Sequence, residues 1–493
     1  MDFGHGHKQG ILLKVPKTQD MSTLSTATNG RDDACGSGPL VPPVGVAPTL
    51  SFQTLGCRLN QSESDTLAQA FCNEGYQIVA DSVPSDICVI NTCSVTESAE
   101  SKCRYIIRKI LQKSPATFIA VTGCYAQIGV EALRKIEGVD LIAGSDHKML
   151  LPSLIQNASR KSLSKLSEPL VFHSPKISKD NFTIPTVGLF NHQTRPNIKI
   201  QDGCDFFCSF CIIPYTRGRE RSRAFDNVLL EASLWAAQGH KEIVLTGVNL
   251  GHYSYEGREL ADLIVSLEEI KGLARIRISS IEPTTVSPRL LDYMGTTKLC
   301  PHLHLPLQSG SNTILANMGR RYTREDYVAF VNEAMNKVPQ LALGTDVMVG
   351  FPGESEAEFH ETVSLLSSLP FAYLHVFPFS ERKGTRLTRM GLQNVSSSII
   401  RKRSQILHDL SKKKKEAFYT AAIGKTFDVL FENRNVRATH ASPLPETKED
   451  FYSGYTGNYI RVGVASKENL AGAIRKMRIE SVTENLALGS VEK

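Results

Sequence analysis

Three cysteines with the spacing of iron–sulfur ligands lie near the middle of the chain. Cys204, Cys208 and Cys211 stand in a Cys-x-x-x-Cys-x-x-Cys pattern, just after a predicted strand over residues 197–201. Soft thiolates at this spacing can hold three irons of a cubane cluster. Because the loop has no fourth cysteine, one iron would keep an open position for another ligand.

Two other interpretations of this loop stay open at the level of spacing. The cysteines could form a zinc knuckle, or they could be unrelated residues of one loop. Zinc usually takes a closed set of four ligands, and no fourth Cys or His lies close in sequence. Phe206, Phe207 and Phe210 lie between the cysteines and would give an apolar wall, which suits a cluster.

A second set of three cysteines precedes this loop. Cys57, Cys93 and Cys124 each follow a predicted strand, over residues 51–55, 87–91 and 118–122. Continuous apolar strands that alternate with helices indicate a parallel sheet, and such sheets place ligand sites at the carboxyl ends of their strands. The pattern predicts a second three-cysteine cluster. Three unrelated buried cysteines are the alternative.

The central loop resembles the signature of the radical S-adenosylmethionine (SAM) enzymes. The segments TLGCRLNQSES, NTCSVTESAESK and TGCYAQ resemble the amino-terminal domain of the methylthiotransferase branch of that family. This resemblance implies two 4Fe–4S clusters. At the first, the open iron would bind SAM, and the reduced cluster would release a 5′-deoxyadenosyl radical. The second would take part in sulfur insertion.

Strand and helix patterns continue after the central loop. Predicted strands cover residues 197–201, 242–246, 275–279, 302–306, 344–349 and 373–377, with amphipathic helices between them. Six strands are too few for a closed eight-stranded barrel and fit the partial barrel of the radical SAM type. Polar residues gather at the strand ends, and we expect four of them to face SAM and the substrate: Asn249, Glu282, Gln308 and Asp346.

Two features near the carboxyl end point to nucleic acid. Residues 401–416 hold a basic run that includes Lys412, Lys413, Lys414 and Lys415. It is either a solvated helix face or a surface that contacts phosphates. From residue 421 onward, β-type alternation punctuated by glycines predicts a small barrel, which resembles the RNA-binding TRAM domain of tRNA methylthiotransferases.

The expected architecture is α/β with three folded parts. We predict a disordered leader over 1–49, a parallel α/β domain over 50–150, a linker over 151–195, a radical SAM (β/α)6 partial barrel over 196–420, and a TRAM-like β-barrel over 421–493. The 493 residues are 41% hydrophobic and 22% charged, as in ordinary globular proteins.

Composition also limits the cellular setting. The formal charge of +6 permits nucleic acid without requiring it. No apolar run approaches a membrane span, so we expect no membrane partner. Eleven cysteines without a secretion signal indicate reduced thiols or metal ligands and a cytoplasmic location.

The resemblance carries an expected reaction. GCRLNQSES is most similar to the group that adds a methylthio group to C2 of N6-threonylcarbamoyladenosine beside the anticodon of ANN-decoding tRNAs. Isopentenyladenosine in tRNA and an aspartate of a ribosomal protein are the alternative substrates of the branch. A radical would abstract hydrogen from C2, the second cluster would supply sulfur, and a second SAM would supply the methyl group.

The expected partners are tRNA, a sulfur donor, and a reductant protein such as flavodoxin or ferredoxin. A non-catalytic RNA-binding iron–sulfur sensor is the alternative outside enzyme chemistry. It would not need the lined cavity that the polar strand ends predict.

Overall fold

A computed structural model describes residues 47–159, 165–185, 193–432, 450–483 and 486–492. The leader expected over 1–49 lies outside the described residues, apart from residues 47–49. The first strand begins at Thr49. None of the described helices is both long enough and apolar enough to cross a membrane.

The amino-terminal domain is a six-stranded parallel sheet flanked by helices. Its strands are β1 (Thr49–Thr54), β2 (Gln77–Val79), β3 (Ile87–Thr92), β4 (Phe118–Gly123), β5 (Leu141–Ala143) and β6 (Leu170–Phe172), in the order β2-β1-β3-β4-β5-β6. Its helices are α1 (Arg58–Asn73), α2 (Glu97–Lys113), α3 (Cys124–Ile128), α4 (Val130–Arg134) and α5 (Leu151–Ser159). β3 and β4 are buried along their whole length, which explains why their sequences are continuously apolar.

The sheet reaches into the segment where we expected a linker. Residues 151–195 contain helix α5 and strand β6, and β6 pairs with β5 in parallel, with Leu141 opposite Leu170. The sequence Leu170–Phe172 is apolar but short. It therefore gives too few residues for a period to be recognised among its polar neighbours.

The central domain is an arc of parallel strands. These are β7 (Asn197–Lys199), β10 (Glu242–Thr246), β13 (Arg275–Ile278), β14 (His302–His304), β15 (Ala342–Val349) and β16 (Phe371–Pro378). The orders β7-β10-β13 and β14-β15-β16 are joined by parallel bridges between Ile276 and Leu299 and between Ser280 and His304. This confirms the predicted six-stranded partial barrel.

Most helices of this domain cover the outside of the arc, whereas its first short helix and several short strands border its mouth. The helices are α6 (Ile213–Arg217), α7 (Phe225–Ala237), α8 (Leu260–Glu268), α9 (Pro288–Tyr293), α10 (Asn312–Met318), α11 (Arg324–Lys337), α12 (Glu356–Ser368) and α13 (Ser397–Thr420). The short strands are β8 (Gln201–Asp202), β9 (Arg221–Ser222), β11 (Ser254–Tyr255) and β12 (Arg258–Glu259). One large apolar core lies between helices and strands, so polar side chains at the strand ends project away from it.

The carboxyl-terminal domain is a closed five-stranded barrel, as the glycine-punctuated alternation predicts. Its strands are β17 (Thr426–Phe431), β18 (Asp450–Thr456), β19 (Arg461–Ser466), β20 (Ile474–Val482) and β21 (Ala487–Val491), in the order β17-β18-β19-β21-β20. Pairing of β17 with β20 closes it. The alternation in the sequence predicts three strands of this barrel, over residues 426–432, 459–464 and 474–484. They correspond to β17, to β19, which begins at Arg461, and to β20, whereas β18 and β21 were not predicted.

Candidate active site

The three amino-terminal cysteines meet at one edge of the first sheet. They follow β1, β3 and β4, which are neighbours in the sheet. Cys57 precedes α1, Cys93 directly follows β3, and Cys124 begins α3. The edge is crowded, since a Cβ on Gly56 would lie 3.1 Å from the Cys93 sulfur. The fold therefore gathers the three thiols as the strand pattern predicts.

The central cysteines occupy the loop between β8 and α6. The Cys211 amide donates to the Cys208 carbonyl at 3.0 Å, and the Phe206 amide donates to the Cys204 sulfur at 3.5 Å. Burial raises the pKa of Cys204 to about 11 and that of Cys211 to about 12. Cys208 adds to the upward shift in both cases, so the three thiols are mutual neighbours.

The spacing of the sulfurs within each set separates a cluster from a single ion. Among the described residues, neither cysteine set brings its three sulfurs within 4.8 Å of one another, whereas His304, Asp346 and His375 do bring their ligand atoms that close. Thiolates that share one zinc ion must crowd around it, but those of a cubane bind different irons. With its soft donors, the cysteine geometry fits clusters better than zinc.

One cavity of about 1500 Å³ joins the two cysteine sites. Its wall includes Cys57 from the first domain and Cys204, Cys208 and Cys211 from the second. The barrel domain contributes aromatic and basic side chains to the same wall. A ligand in this cavity can therefore contact both sites without leaving the protein.

All four residues predicted to face the cavity line it: Asn249, Glu282, Gln308 and Asp346. The Asn249 amide nitrogen and the Gln308 amide oxygen are buried and have no hydrogen-bond partner in the described structure. Gln308 also has a left-handed backbone, with φ of 71°, a conformation that costs a non-glycine residue about 1–3 kcal/mol. Unpaired buried polar atoms and backbone strain mark this wall as one prepared for a polar ligand.

The two carboxylates have different partners. Glu282 forms an ion pair with Arg320, whose guanidinium also donates to the Cys208 sulfur at 3.4 Å. Burial raises the pKa of Glu282 in spite of Arg320. Burial also opposes ionisation of Asp346, but hydrogen bonds with His304 at 2.9 Å and His375 at 3.4 Å hold its pKa below the usual range.

A buried ionic network links the first cysteine site to the central domain. Glu63 of α1 contacts Lys148, Lys199 at 2.7 Å and Arg217 at 3.0 Å. Asp202 contacts Lys199 at 2.6 Å and Arg217 at 3.1 Å. Three buried cations thus face two buried carboxylates.

The extra positive charge of this network lies beside the cysteines. Burial alone would lower the pKa of Arg217, but Glu63, the Cys124 thiol, Asp202 and the Cys57 thiol together raise it well above its usual value. An unbalanced buried cation is costly, and a cluster held by three thiolates is anionic. The site therefore fits an iron–sulfur cluster electrostatically as well as by donor type.

The predicted lysine run is divided by the fold. Lys412 and Lys413 of α13 are exposed. Lys414 donates to the carbonyls of Ser367 and Leu369 at 3.1 and 2.7 Å and so satisfies the end of α12. Lys415 lies over the Tyr419 ring at 5.4 Å and lines the cavity. An RNA-binding role for the four lysines remains a prediction.

Several residues of the site were not foreseen from the sequence. Arg58, Arg217, His302, Arg320 and Tyr373 line the cavity. Of these, only Arg58 and Arg217 lie next to the cysteine motifs, so sequence position could have indicated them. The others come from strands and loops without a recognisable motif and reach the site only through the fold.

Comparison with known proteins supports this description of the fold. Residues 49–144 match a family described as "Uncharacterized protein family UPF0004", and residues 198–366 match the Radical SAM superfamily. A solved structure of the radical SAM methyltransferase TsrM from Kitasatospora setae, with cobalamin and a [4Fe-4S] cluster, aligns with a TM-score of 0.52. The alignment has 14% sequence identity and covers 69% of this chain and 77% of the TsrM chain. At that identity the likeness concerns the fold alone.

Curated relatives extend over most of the chain. The threonylcarbamoyladenosine tRNA methylthiotransferase MtaB of Aquifex aeolicus is 38% identical over 388 residues, which cover 78% of this chain and 93% of that protein. MtaB of Bacillus subtilis is 36% identical, over 87% of this chain and 93% of that protein. The tRNA-2-methylthio-N(6)-dimethylallyladenosine synthase of Syntrophus aciditrophicus is also 36% identical, over 77% of this chain and 83% of that protein.

The fold and the central cysteine loop define a radical SAM protein, a class that uses SAM and a 4Fe–4S cluster. With these relatives, the chain belongs to the methylthiotransferase family of the radical SAM superfamily.

Proposed function

We propose that the protein adds a methylthio group to C2 of N6-threonylcarbamoyladenosine beside the anticodon of ANN-decoding tRNAs. The observation that carries this proposal is the single cavity reached by both cysteine sites. A reaction that inserts sulfur and a methyl group into an unactivated aromatic C–H bond needs both centres beside one substrate atom. This arrangement also favours an enzyme over an RNA-binding sensor.

The central cysteines would hold the cluster that binds SAM, and Cys57, Cys93 and Cys124 would hold a second 4Fe–4S cluster. When bound, the clusters and SAM supply one-electron reduction, the 5′-deoxyadenosyl radical, sulfur and the methyl group. Asn249 and Gln308 offer a buried donor and a buried acceptor to the SAM side of the cavity. Glu282 keeps Arg320 against the Cys208 sulfur.

The remaining roles of the chain are positioning and exclusion of water. Phe206 and Phe210 line the cavity near the central cysteines and keep that wall apolar, so that a reactive intermediate meets no solvent. Arg217 holds α6 against α1 through Glu63 and Asn60. It thereby fixes the two cysteine sites relative to each other.

Support for tRNA and for the threonylcarbamoyl substrate comes from several directions. The relatives from Aquifex aeolicus and Bacillus subtilis carry that substrate in their names. The relative named for dimethylallyladenosine has a similar sequence identity to this chain. Overall sequence identity therefore does not decide between the two substrates. A closed barrel with basic and aromatic side chains at the cavity suits an RNA loop. We further propose a cytoplasmic setting, with a sulfur donor and a reductant protein such as flavodoxin or ferredoxin.

Mass spectrometry of tRNA nucleosides tests the substrate. Cells without this protein should lack 2-methylthio-N6-threonylcarbamoyladenosine and accumulate the unmethylthiolated nucleoside, and expression of the protein should reverse both changes. A change in the isopentenyl nucleoside instead would show that the substrate assignment is wrong. A methylthiolated ribosomal-protein aspartate with unchanged tRNA would refute the role of RNA as well.

A further inference from the structure

A polar niche lies in the cavity where α1, β14, β16 and the barrel domain meet. Arg58, His302, Tyr373 and Tyr459 line it. The Arg58 guanidinium donates to the Tyr459 hydroxyl at 2.7 Å. The His302 ring stacks on Tyr459 with ring centroids 4.7 Å apart. These contacts hold the four side chains around one small volume.

Arg58 supplies the niche with a positive charge. It is exposed to the cavity and directly follows Cys57. Its hydrogen bond to Tyr459 is with a phenol hydroxyl, and in the described part of the chain it forms no ion pair with a carboxylate. Among the other arginines of the cavity wall, Arg217 and Arg320 are held by Glu63 and Glu282. The fourth, Arg461, donates to the Ser453 hydroxyl on the barrel side of the wall at 3.3 Å. Arg58 is therefore a cation that can accept an anionic ligand.

His302 supplies a buried donor beside that charge. The residue is 4% exposed, and its Nδ1 atom has no partner in the described structure. Its Nε2 atom lies 2.9 Å from the Tyr373 hydroxyl. When Tyr373 donates to Nε2, the proton of the neutral ring is on Nδ1, and that N–H group is then a buried donor without a partner among the described residues. A buried donor without a partner is costly, and a ligand oxygen would relieve that cost.

The chemistry of the proposed substrate matches this niche. In adenine, C2 and the carbon that bears N6 flank the same ring nitrogen, N1. A group on N6 therefore lies near the carbon that receives the sulfur, and so near the site formed by Cys57. The threonylcarbamoyl group ends in a carboxylate, whereas an isopentenyl group is apolar throughout.

We propose that Arg58 and His302 bind the threonyl carboxylate of the modified adenosine and thereby select it over isopentenyladenosine. This inference rests on the proposed function. An isopentenyl group in the niche would leave the Arg58 charge and the His302 N–H without partners. A site built for hydrogen bonds rejects an analogue that lacks the matching group more strongly than an apolar pocket rejects an extra one.

Binding of RNA hairpins tests the proposal without turnover. Anticodon hairpins would carry threonylcarbamoyladenosine, its carboxyl methyl ester, or isopentenyladenosine, and affinity would be measured anaerobically on the reconstituted protein without SAM. We expect the wild type to bind the acid roughly tenfold or more tightly than the ester, as a charge-assisted contact implies. Arg58→Gln should bring the ratio of acid to ester affinity close to one, and Arg58→Lys should keep part of it.

Arg134→Gln is the matched control. Arg134 belongs to the same domain, does not line the cavity and pairs with Glu131 at 3.5 Å, so its variant should keep the wild-type ratio. Iron content checks that each variant keeps its clusters. If Arg58→Gln loses iron, His302→Phe tests the same contact from strand β14 and should also lower the ratio.

The possible failures are distinct. If iron-replete Arg58→Gln, or His302→Phe, keeps the wild-type ratio of acid to ester affinity, the proposed carboxylate site is wrong. The proposed function would still stand. A wild type that binds acid and ester equally would also overturn the carboxylate site alone. A wild type that prefers the isopentenyl hairpin would overturn the proposed function itself.

Discussion

Arg217 illustrates how much of this site depends on single buried charges. It ends α6, which follows the central cysteine loop, and it reaches Glu63 and Asn60 of α1, which follows Cys57. It is the extra cation of the network and faces the thiols of Cys57 and Cys124. One side chain thus serves the domain contact and the electrostatics of the first cysteine site.

Arg217→Gln should lower the iron content of the first site, because a cluster there would lose the cation beside it. It should also destabilise the chain by ~1.5–3 kcal/mol, because the hydrogen bonds of Arg217 to Glu63 and Asp202 are lost while both carboxylates keep Lys199. Iron per chain and thermal unfolding measure the two effects. Arg219→Gln is the control, since Arg219 is 57% exposed and pairs with Asp205; it should change neither quantity strongly. Full iron and unchanged stability in Arg217→Gln would contradict both roles.

The same network predicts how stability depends on pH. Burial opposes ionisation of Glu63, but Arg217, Lys148 and Lys199 lower its pKa well below the ordinary 4.5. A carboxyl whose pKa is lower in the folded state stabilises the fold above its unfolded-state pKa, and that contribution fades as pH falls below it. The urea concentration at the unfolding midpoint should therefore decrease as the pH is lowered below about 5. This decrease should be smaller in Glu63→Gln. Fluorescence of Trp235, the one tryptophan in the sequence, reports unfolding of the partial barrel. Parallel pH profiles of the two proteins would exclude Glu63 as a cause.

At the scale of elements, the sequence predicts strands well where they are buried within their own domain. Strand β10 was predicted residue for residue, and β3 and β4 were predicted to within one residue, because their apolar runs are continuous. The spacing of apolar residues predicts a helix only over residues 64–73, but helix α1 starts at Arg58. Its first turns bury polar residues such as Asn60 and Glu63, which pack against charges of another domain. A hydrophobic period cannot reveal such a face.

Glycine geometry gives a prediction for the central cysteine loop. Gly203 precedes Cys204 with φ of 71°, and a Cβ there would lie 1.9 Å from the Arg219 carbonyl oxygen. Gly203→Ala must therefore displace the loop, and iron at the central site should be lost. Gly239 has φ of 93° but no atom within 4 Å of an added Cβ. Gly239→Ala should therefore cost only the backbone strain of about 1–3 kcal/mol and leave the iron in place. Equal iron contents in the two variants would show that the loop tolerates the displacement.

At the scale of the molecule, three domains surround one cavity through contacts between residues far apart in sequence. Arg382 pairs with Glu100, Arg58 donates to Tyr459, and Arg195 pairs with Glu432 at 2.7 Å. The order of the domains and the cysteine sites could be predicted, since each is encoded in a local pattern. The niche, the ionic network and the shared cavity could not, since they exist only after the domains pack together.

The shared cavity predicts a division of labour between the two cysteine sites. Cys208→Ala should abolish formation of 5′-deoxyadenosine, because under the proposed function its cluster would reduce SAM. Cys93→Ala should keep SAM cleavage and lose methylthiolation. Product analysis under anaerobic, reducing conditions measures both. Iron content is the control: about eight irons in the wild type and about half after Cys204, Cys208 and Cys211 are all changed to Ala. Normal methylthiolation by Cys93→Ala would make the first site structural.

The lysines of α13 test how the whole molecule holds RNA. Lys412 and Lys413 are exposed, whereas Lys414 donates to two carbonyls at the end of α12. Changing Lys412 and Lys413 together to Gln should weaken tRNA binding and reduce its salt slope by about one for each phosphate that the variant no longer neutralises. SAM cleavage without tRNA should persist.

Lys414→Gln is the control. It should lower thermal stability with little effect on the salt slope of tRNA binding, because the hydrogen bonds of Lys414 are within the protein. Titrations of tRNA at several salt concentrations measure the slopes. An unchanged slope in the double variant would remove α13 from the RNA-binding surface and leave the barrel domain and the cavity mouth to hold the tRNA.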